Sequence, residues 1–216
     1  MRAFFEGSAN IPWLLDRLAE FRPDLREEAT VDWAQAARDA WPPLAVGKRF
    51  YLVPPWSEAP TPDGRLRLEI EPGMACGTGR HPATQLCLEA IERYLQPGSR
   101  VVDVGTGSGI LARAAALLGA GSVIGCDIDP EAVEIARGTL GVTVFIGSAA
   151  ALGGQAADLI LANIDAAALE QIRDELARVR KPHSIMILSG FPEDDIPPGF
   201  AARQVLSKDG WACLIC

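Results

Sequence analysis

Asp103 stands next to last in the short apolar run RVVDV (100–104), which leads at once into GTGSG, so that Gly105, Gly107 and Gly109 alternate with Thr106 and Ser108. Glycine adopts positive φ at little cost and lets a ligand approach the backbone closely. The next apolar run, SVIGCDI (122–128), ends in Asp127 and Ile128. A carboxylate at Asp127 offers two oxygens to the two hydroxyls of a ribose. Nicotinamide dinucleotides use an acid in the same place, but their glycine fingerprint requires a glycine at 110, where this chain has Ile110. The spacing of Gly105, Thr106 and Gly107 behind Asp103 points to S-adenosylmethionine instead.

Further candidates lie at the ends of later apolar runs. VTVFIG leads into Gly147-Ser148, which can wall an adenine or simply cap a helix through Ser148. DLILANI (158–164) ends in Asn163-Ile164, where an amide oxygen can face a cleft. The Asn-Pro-Pro-aromatic motif of enzymes that methylate planar amides and adenines is not present there, which turns the reading away from such acceptors. A second Gly-Thr-Gly occurs in CGTGRHPAT (76–84) and reads as a loop leading into a helix start. His81 has the chemistry of a general base, yet His-Pro at a helix start reads first as a structural cap. The five cysteines form no disulfide framework, and the pair Cys213 and Cys216 would face opposite sides of a strand.

Regular elements must position these residues. IPWLLDRLAEF (11–21) and TVDWAQAARDA (30–40) have helical spacing, and Pro42 and Pro43 stop the second. KRFYLVP (48–54) and RLRLEIE (65–71) alternate like strands around a turn-rich TPDG, which predicts a hairpin. From His81 onward the chain alternates helices with strands that are apolar on both faces, the pattern of a mostly parallel sheet covered on both sides. FAARQVLS and GWACLIC, linked at KDG, predict an antiparallel edge hairpin. Residues 1–46 read as a small, mainly helical segment, a candidate substrate-recognition element, and residues 47–216 as a cofactor-binding domain that opens with the hairpin. Trp13, Trp33, Trp41 and Trp56 crowd the first quarter and suit either packing or recognition.

A length of 216 residues suits one large α/β domain or a domain with an appendage. The net charge of −8 argues against a broad nucleic-acid surface and is compatible with a basic protein partner. No apolar run is long enough for a membrane helix, and MRAFFEGSANIPW lacks the apolar stretch of a signal peptide. The expectation is a cytoplasmic protein with no membrane and no direct nucleic-acid partner.

The segments EPGMACGTGRHPATQLCLEAI and VVDVGTGSGILARAAALLGAGSVIGCDIDPEAVEIAR, followed by ANI and ILSG, resemble the ribosomal protein L-eleven methyltransferase family. PGMACGTGRHPAT is the specific part, since the glycine-rich loop is shared by many methyltransferases. The resemblance implies an α/β class I methyltransferase fold, Rossmann-like, with a seven-stranded mostly parallel sheet. It implies transfer of methyl groups from S-adenosylmethionine to amines of a basic, ribosomal protein. The family's cofactor contacts fall on Thr84, Gly105, Asp127 and Asn163, and Thr78 and Gly79 lie in the segment expected to fold over the cofactor. With Asp103, Thr106, Gly107, Ile128 and Ser148 they complete the expected cofactor set, and Asn163 is the expected catalytic residue, orienting the amine. The chain departs from the family in the short stretch before VGKRFYLVP, in Ala37 where a Trp is expected and in Pro42 where a Lys is usual. Two other readings use the same core: a methyltransferase of another protein lysine or a small molecule, and a cofactor-binding module without catalysis.

Overall fold

The computed structural model describes residues 10–24, 39, 41–70, 79–138 and 141–216. The chain divides into two compact units, Met1–Ala37 and Arg38–Cys216. In the first, helix α1 (Ile11–Arg17) starts at Asn10, whose side chain accepts the Trp13 N–H, and it ends in a 3-10 turn at Ala19–Phe21. The helix expected over 30–40 lies outside the described residues, apart from residue 39.

The second unit begins with a three-stranded sheet, β1 (Leu44–Val46), β2 (Phe50–Val53) and β3 (Leu66–Glu69), in that order. The expected hairpin between 48–54 and 65–71 is not formed: β2 and β3 run parallel, Phe50 opposite Leu66, and the antiparallel partner of β2 is β1. The segment between them travels back along β2 before β3 begins. Arg67 holds that segment through the carbonyls of Ser57 and Ala59 at 2.6 and 2.9 Å. Arg65 fixes the start of β3 beside the start of β2 by donating to the carbonyls of Gly47 and Phe50 at 3.2 and 2.8 Å. Glu92 clamps the β1–β2 turn by accepting the N–H groups of Lys48 and Arg49 at 2.9 and 2.7 Å.

The main sheet has seven strands: β4 (Arg100–Val104), β5 (Ser122–Asp127), β6 (Val142–Ile146), β7 (Ala157–Asn163), β8 (Arg180–Pro192), β9 (Gln204–Lys208) and β10 (Trp211–Ile215). Their spatial order is β6-β5-β4-β7-β8-β10-β9. The first five are mutually parallel, and β10 runs antiparallel between β8 and β9, as the sequence predicts. The helices are α2 (Pro82–Tyr94), α3 (Ile110–Leu117), α4 (Pro130–Arg137), α5 (Ala166–Gln171) and α6 (Arg173–Val179). AAALEQIRDELARV reads as one helix but breaks at Ile172, whose ψ of 7° ends α5 and starts α6.

The sheet's alternation creates two apolar layers. Val101, Val123, Leu159, Leu161 and Ile187 pack with α2, α3 and the small sheet, while Val102, Cys126, Ile160, Ala162 and Leu188 pack with Leu169 of α5 and Leu176 of α6. Cys213 belongs to the first layer and Cys216 to the second, on opposite sides of the sheet. The chain leaves β4 outward through β5 and β6 and then returns to β7 on the other side of β4. That reversal opens the crevice in which sheets of this kind place their ligands, beyond the carboxyl ends of β4 and β7.

Candidate active site

The same alternation puts Asp103, Asp127, Ile146 and Asn163 on one face at the carboxyl ends of four neighbouring strands. Asp103 is 1 % exposed. Its Oδ2 accepts the Thr106 hydroxyl at 2.7 Å and the Ala112 N–H at 3.2 Å, which locks the glycine turn to the start of α3. Its Oδ1 is buried and has no partner among the described residues. Burial raises the Asp103 carboxyl to about 6, against the lowering effect of the Thr106 and Ala112 hydrogen bonds.

The turn itself is held from β5. Gly105 and Thr106 both donate their N–H to the Cys126 carbonyl, at 2.9 and 3.0 Å. Gly107, at φ +53°, donates to Asp127 Oδ2 at 2.9 Å, and Asp129 donates to Asp127 Oδ1 at 3.0 Å. Each Asp127 oxygen thus keeps one lone-pair direction open, and the carboxylate is fixed before any ligand arrives. Beyond it, Ile128 is 81 % exposed, and Ile146, directly opposite Asp127 across β5 and β6, is 54 % exposed. Two exposed isoleucines thus stand beside a fixed acid.

Asn163 ends β7, and its amide N–H donates to Thr84 Oγ1 at 3.0 Å. Thr84 is 1 % exposed on the first turn of α2, so a residue 79 positions away in sequence orients the amide. The segment after Asn163 is wedged between two glycines. A Cβ at Gly105 would lie 2.3 Å from Ile164 Cγ2, and one at Gly190 would lie 2.4 Å from the Ile164 carbonyl oxygen. Gly79 is equally tight: a Cβ there would meet Leu52 at 2.2 Å and Ile110 at 2.9 Å. Thr78 lies outside the described residues.

Two candidates take other partners. Ser148 accepts the Ala150 N–H at 3.2 Å, the capping bond of its 3-10 turn, and donates its proton to Glu175 Oε2 at 2.9 Å. His81 caps α2, its Nδ1 accepting the Ala83 N–H at 3.3 Å, and its ring meets Trp211 edge-on at 4.2 Å. The structure brings Thr84, Asp103, Gly105, Thr106, Gly107, Asp127, Ile128 and Asn163 to one rim, with Ser148 beside it in the turn that Gly147 ties to the Asp127 carbonyl. Sequence reasoning missed Ile146, Ile164 and Glu175. An apolar residue closing β6 was a readable signal for the first, while the other two depend on contacts across the fold.

The family model described as ribosomal protein L11 methyltransferase (PrmA) matches residues 4–216. The chain belongs to the ribosomal protein L11 methyltransferase family. It is 39% identical over 212 residues to a ribosomal protein L11 methyltransferase of Burkholderia multivorans, covering 93% of this chain and 69% of that one. A relative of the same name in Ralstonia nicotianae is 38% identical over 201 residues, covering 88% of this chain and 67% of that one. Among solved structures, the ribosomal protein L11 methylase of Lactobacillus delbrueckii subsp. bulgaricus superposes with a TM-score of 0.72 at 30% identity, over 80% of this chain and 96% of that one. Membership in this family makes the chain an enzyme, an S-adenosylmethionine-dependent methyltransferase. The rim suits that cofactor: Asp127 offers two fixed carboxylate oxygens to a pair of ribose hydroxyls, and Asp103 Oδ1 is a buried acceptor without a donor among the described residues.

Proposed function

We propose that the chain transfers methyl groups from S-adenosylmethionine to amino groups of a basic ribosomal protein in the cytoplasm. The observation that carries this reading is the fixed pair Asn163–Thr84 beside the Asp127 rim. Asp127 would hold the ribose hydroxyls, the backbone of Gly105, Thr106 and Gly107 would cradle the methionyl end, and Asp103 Oδ1 would accept a hydrogen bond from its ammonium. Ile128 would lie against the adenine, and Thr84 and Gly79 would bound the cleft from the α2 side. When bound, the cofactor supplies an electrophilic methyl on a sulfonium.

The chain's task is to present a neutral amine to it. A lysine amine has a reference pKa of about 10.4 and attacks only after losing its proton. Asn163 donates to Thr84, so its amide oxygen is the acceptor that lines up the amine's N–H and thereby its lone pair. Ile164, next to Asn163 and packed over Gly105, places an apolar side chain beside the amine and disfavours the charged ammonium. His81 serves as a cap rather than as the base. An acidic turn, Glu193-Asp194-Asp195, follows β8 on the Asn163 side of the rim and suits a basic acceptor.

The test is transfer of labelled methyl from S-adenosylmethionine to proteins extracted from ribosomes, with mass spectrometry of the product. Label on amino groups of one ribosomal protein supports the reading. Label confined to RNA or small molecules, or no label from a chain that binds the cofactor, overturns it.

A further inference from the structure

Glu175 stands on α6, in the layer beneath the sheet, and takes no part in the catalysis proposed above. Its carboxylate nevertheless reaches the loop after β6 and accepts the Ser148 hydroxyl at 2.9 Å. That loop is tied to the ribose-facing acid: Gly147 donates its N–H to the Asp127 carbonyl at 2.8 Å. A purine on a ribose held by Asp127 would lie beside the exposed Ile128 and Ile146, with the Gly147-Ser148 turn next along the chain from Ile146.

We propose that Glu175 sets the base specificity of the cofactor site, by holding the Ser148 hydroxyl as a pure acceptor that selects a 6-amino purine over a 6-oxo purine. The inference rests on the cofactor reading given above. A serine hydroxyl has one proton and two lone pairs. An ionised carboxylate cannot donate, so the proton is committed to Glu175. One lone pair takes the Ala150 N–H at 3.2 Å. The remaining lone pair accepts an N–H and repels a carbonyl. Without Glu175 the hydroxyl turns freely and satisfies either group, and the discrimination disappears. Glu175 is thus a positioning residue, acting through Ser148.

Calorimetric titration with S-adenosylhomocysteine and with its deaminated analogue S-inosylhomocysteine tests this. The wild type favours the adenosyl compound roughly tenfold or more, as expected where a half-buried acceptor would otherwise face a carbonyl. Glu175→Gln keeps the shape but can donate to Ser148, and it lowers the ratio about fivefold or more, mainly through tighter binding of the inosyl compound. Glu175→Ala serves as the second variant, and the unfolding midpoint of each confirms that the fold survives. A wild type without preference, or a ratio unchanged in both variants, overturns the inference while leaving the cofactor reading intact. A wild type that binds neither compound removes the cofactor reading and the inference with it.

Discussion

Asp103 carries the largest electrostatic cost described at the rim. Its carboxyl stands at about 6 in the folded chain because burial disfavours the anion, against an ordinary value of 3.8. In this window the folded state holds the proton more tightly than the unfolded state, so stability falls as the pH rises from about 4 to about 6 and is level above that. The full loss across the window is about 3 kcal/mol. Chemical unfolding across that pH range will show this slope in the wild type and lose it in Asp103→Asn. A cation near Oδ1 reverses the cost, so S-adenosylmethionine affinity measured by calorimetry will rise as the pH rises through about 6 and then reach a plateau. At the same scale, Asn163→Ala removes the acceptor that aligns the amine. We expect a loss of roughly 100-fold in kcat with a cofactor dissociation constant changed no more than about threefold. Equal losses in both would make Asn163 a binding residue only.

The elements deliver these side chains through three close approaches. The least yielding is at Gly190, φ +104°, where an added Cβ would lie 2.4 Å from the carbonyl oxygen and 2.6 Å from the nitrogen of Ile164, both backbone atoms. Backbone atoms held between interior strands of the sheet cannot give way as a flexible side chain can. Gly190→Ala will therefore cost about 2 kcal/mol or more, seen as a fall of roughly 4–8 °C in the unfolding midpoint. It will also lower turnover, because the Asn163-Ile164 segment must shift. Much of this scale was legible in the sequence. Apolar strands alternating with helices pointed to the parallel sheet, Asp103 and Asp127 marked two strand ends, and His81-Pro82 marked the start of α2. The parallel pairing of β2 and β3 was not legible, because TPDG signals a turn and the return path depends on Arg65 and Arg67 bonding carbonyls far along the chain. Nor was the break at Ile172, which interrupts an otherwise continuous helical pattern. Ser148 was readable as a cap, but its bond to Glu175 crosses from one layer to another and leaves no local trace.

For the whole molecule, the seven-stranded order β6-β5-β4-β7-β8-β10-β9 fixes one crevice, and the two acids and the amide of the rim all converge on it. Among the described residues no helix is long and apolar enough to cross a membrane. Recognition of the protein acceptor is a property of a larger scale than the rim. Removing residues 1–37, the first compact unit, will leave cofactor binding within about threefold and weaken methylation of the ribosomal protein at least tenfold, because Trp13, 55 % exposed, offers a partner an aromatic anchor. Unchanged methylation would assign recognition to the rim alone. Beneath every step lies the claim that Asp127, fixed by Gly107 and Asp129, holds the ribose of an adenosyl sulfonium. Calorimetric titration of S-adenosylhomocysteine into the wild type and into Asp127→Ala tests it most directly. We predict one site in the wild type and an affinity at least tenfold lower in the variant, from two lost charge-assisted hydrogen bonds. Equal affinity in the two proteins, or no binding to a folded wild type, would contradict it.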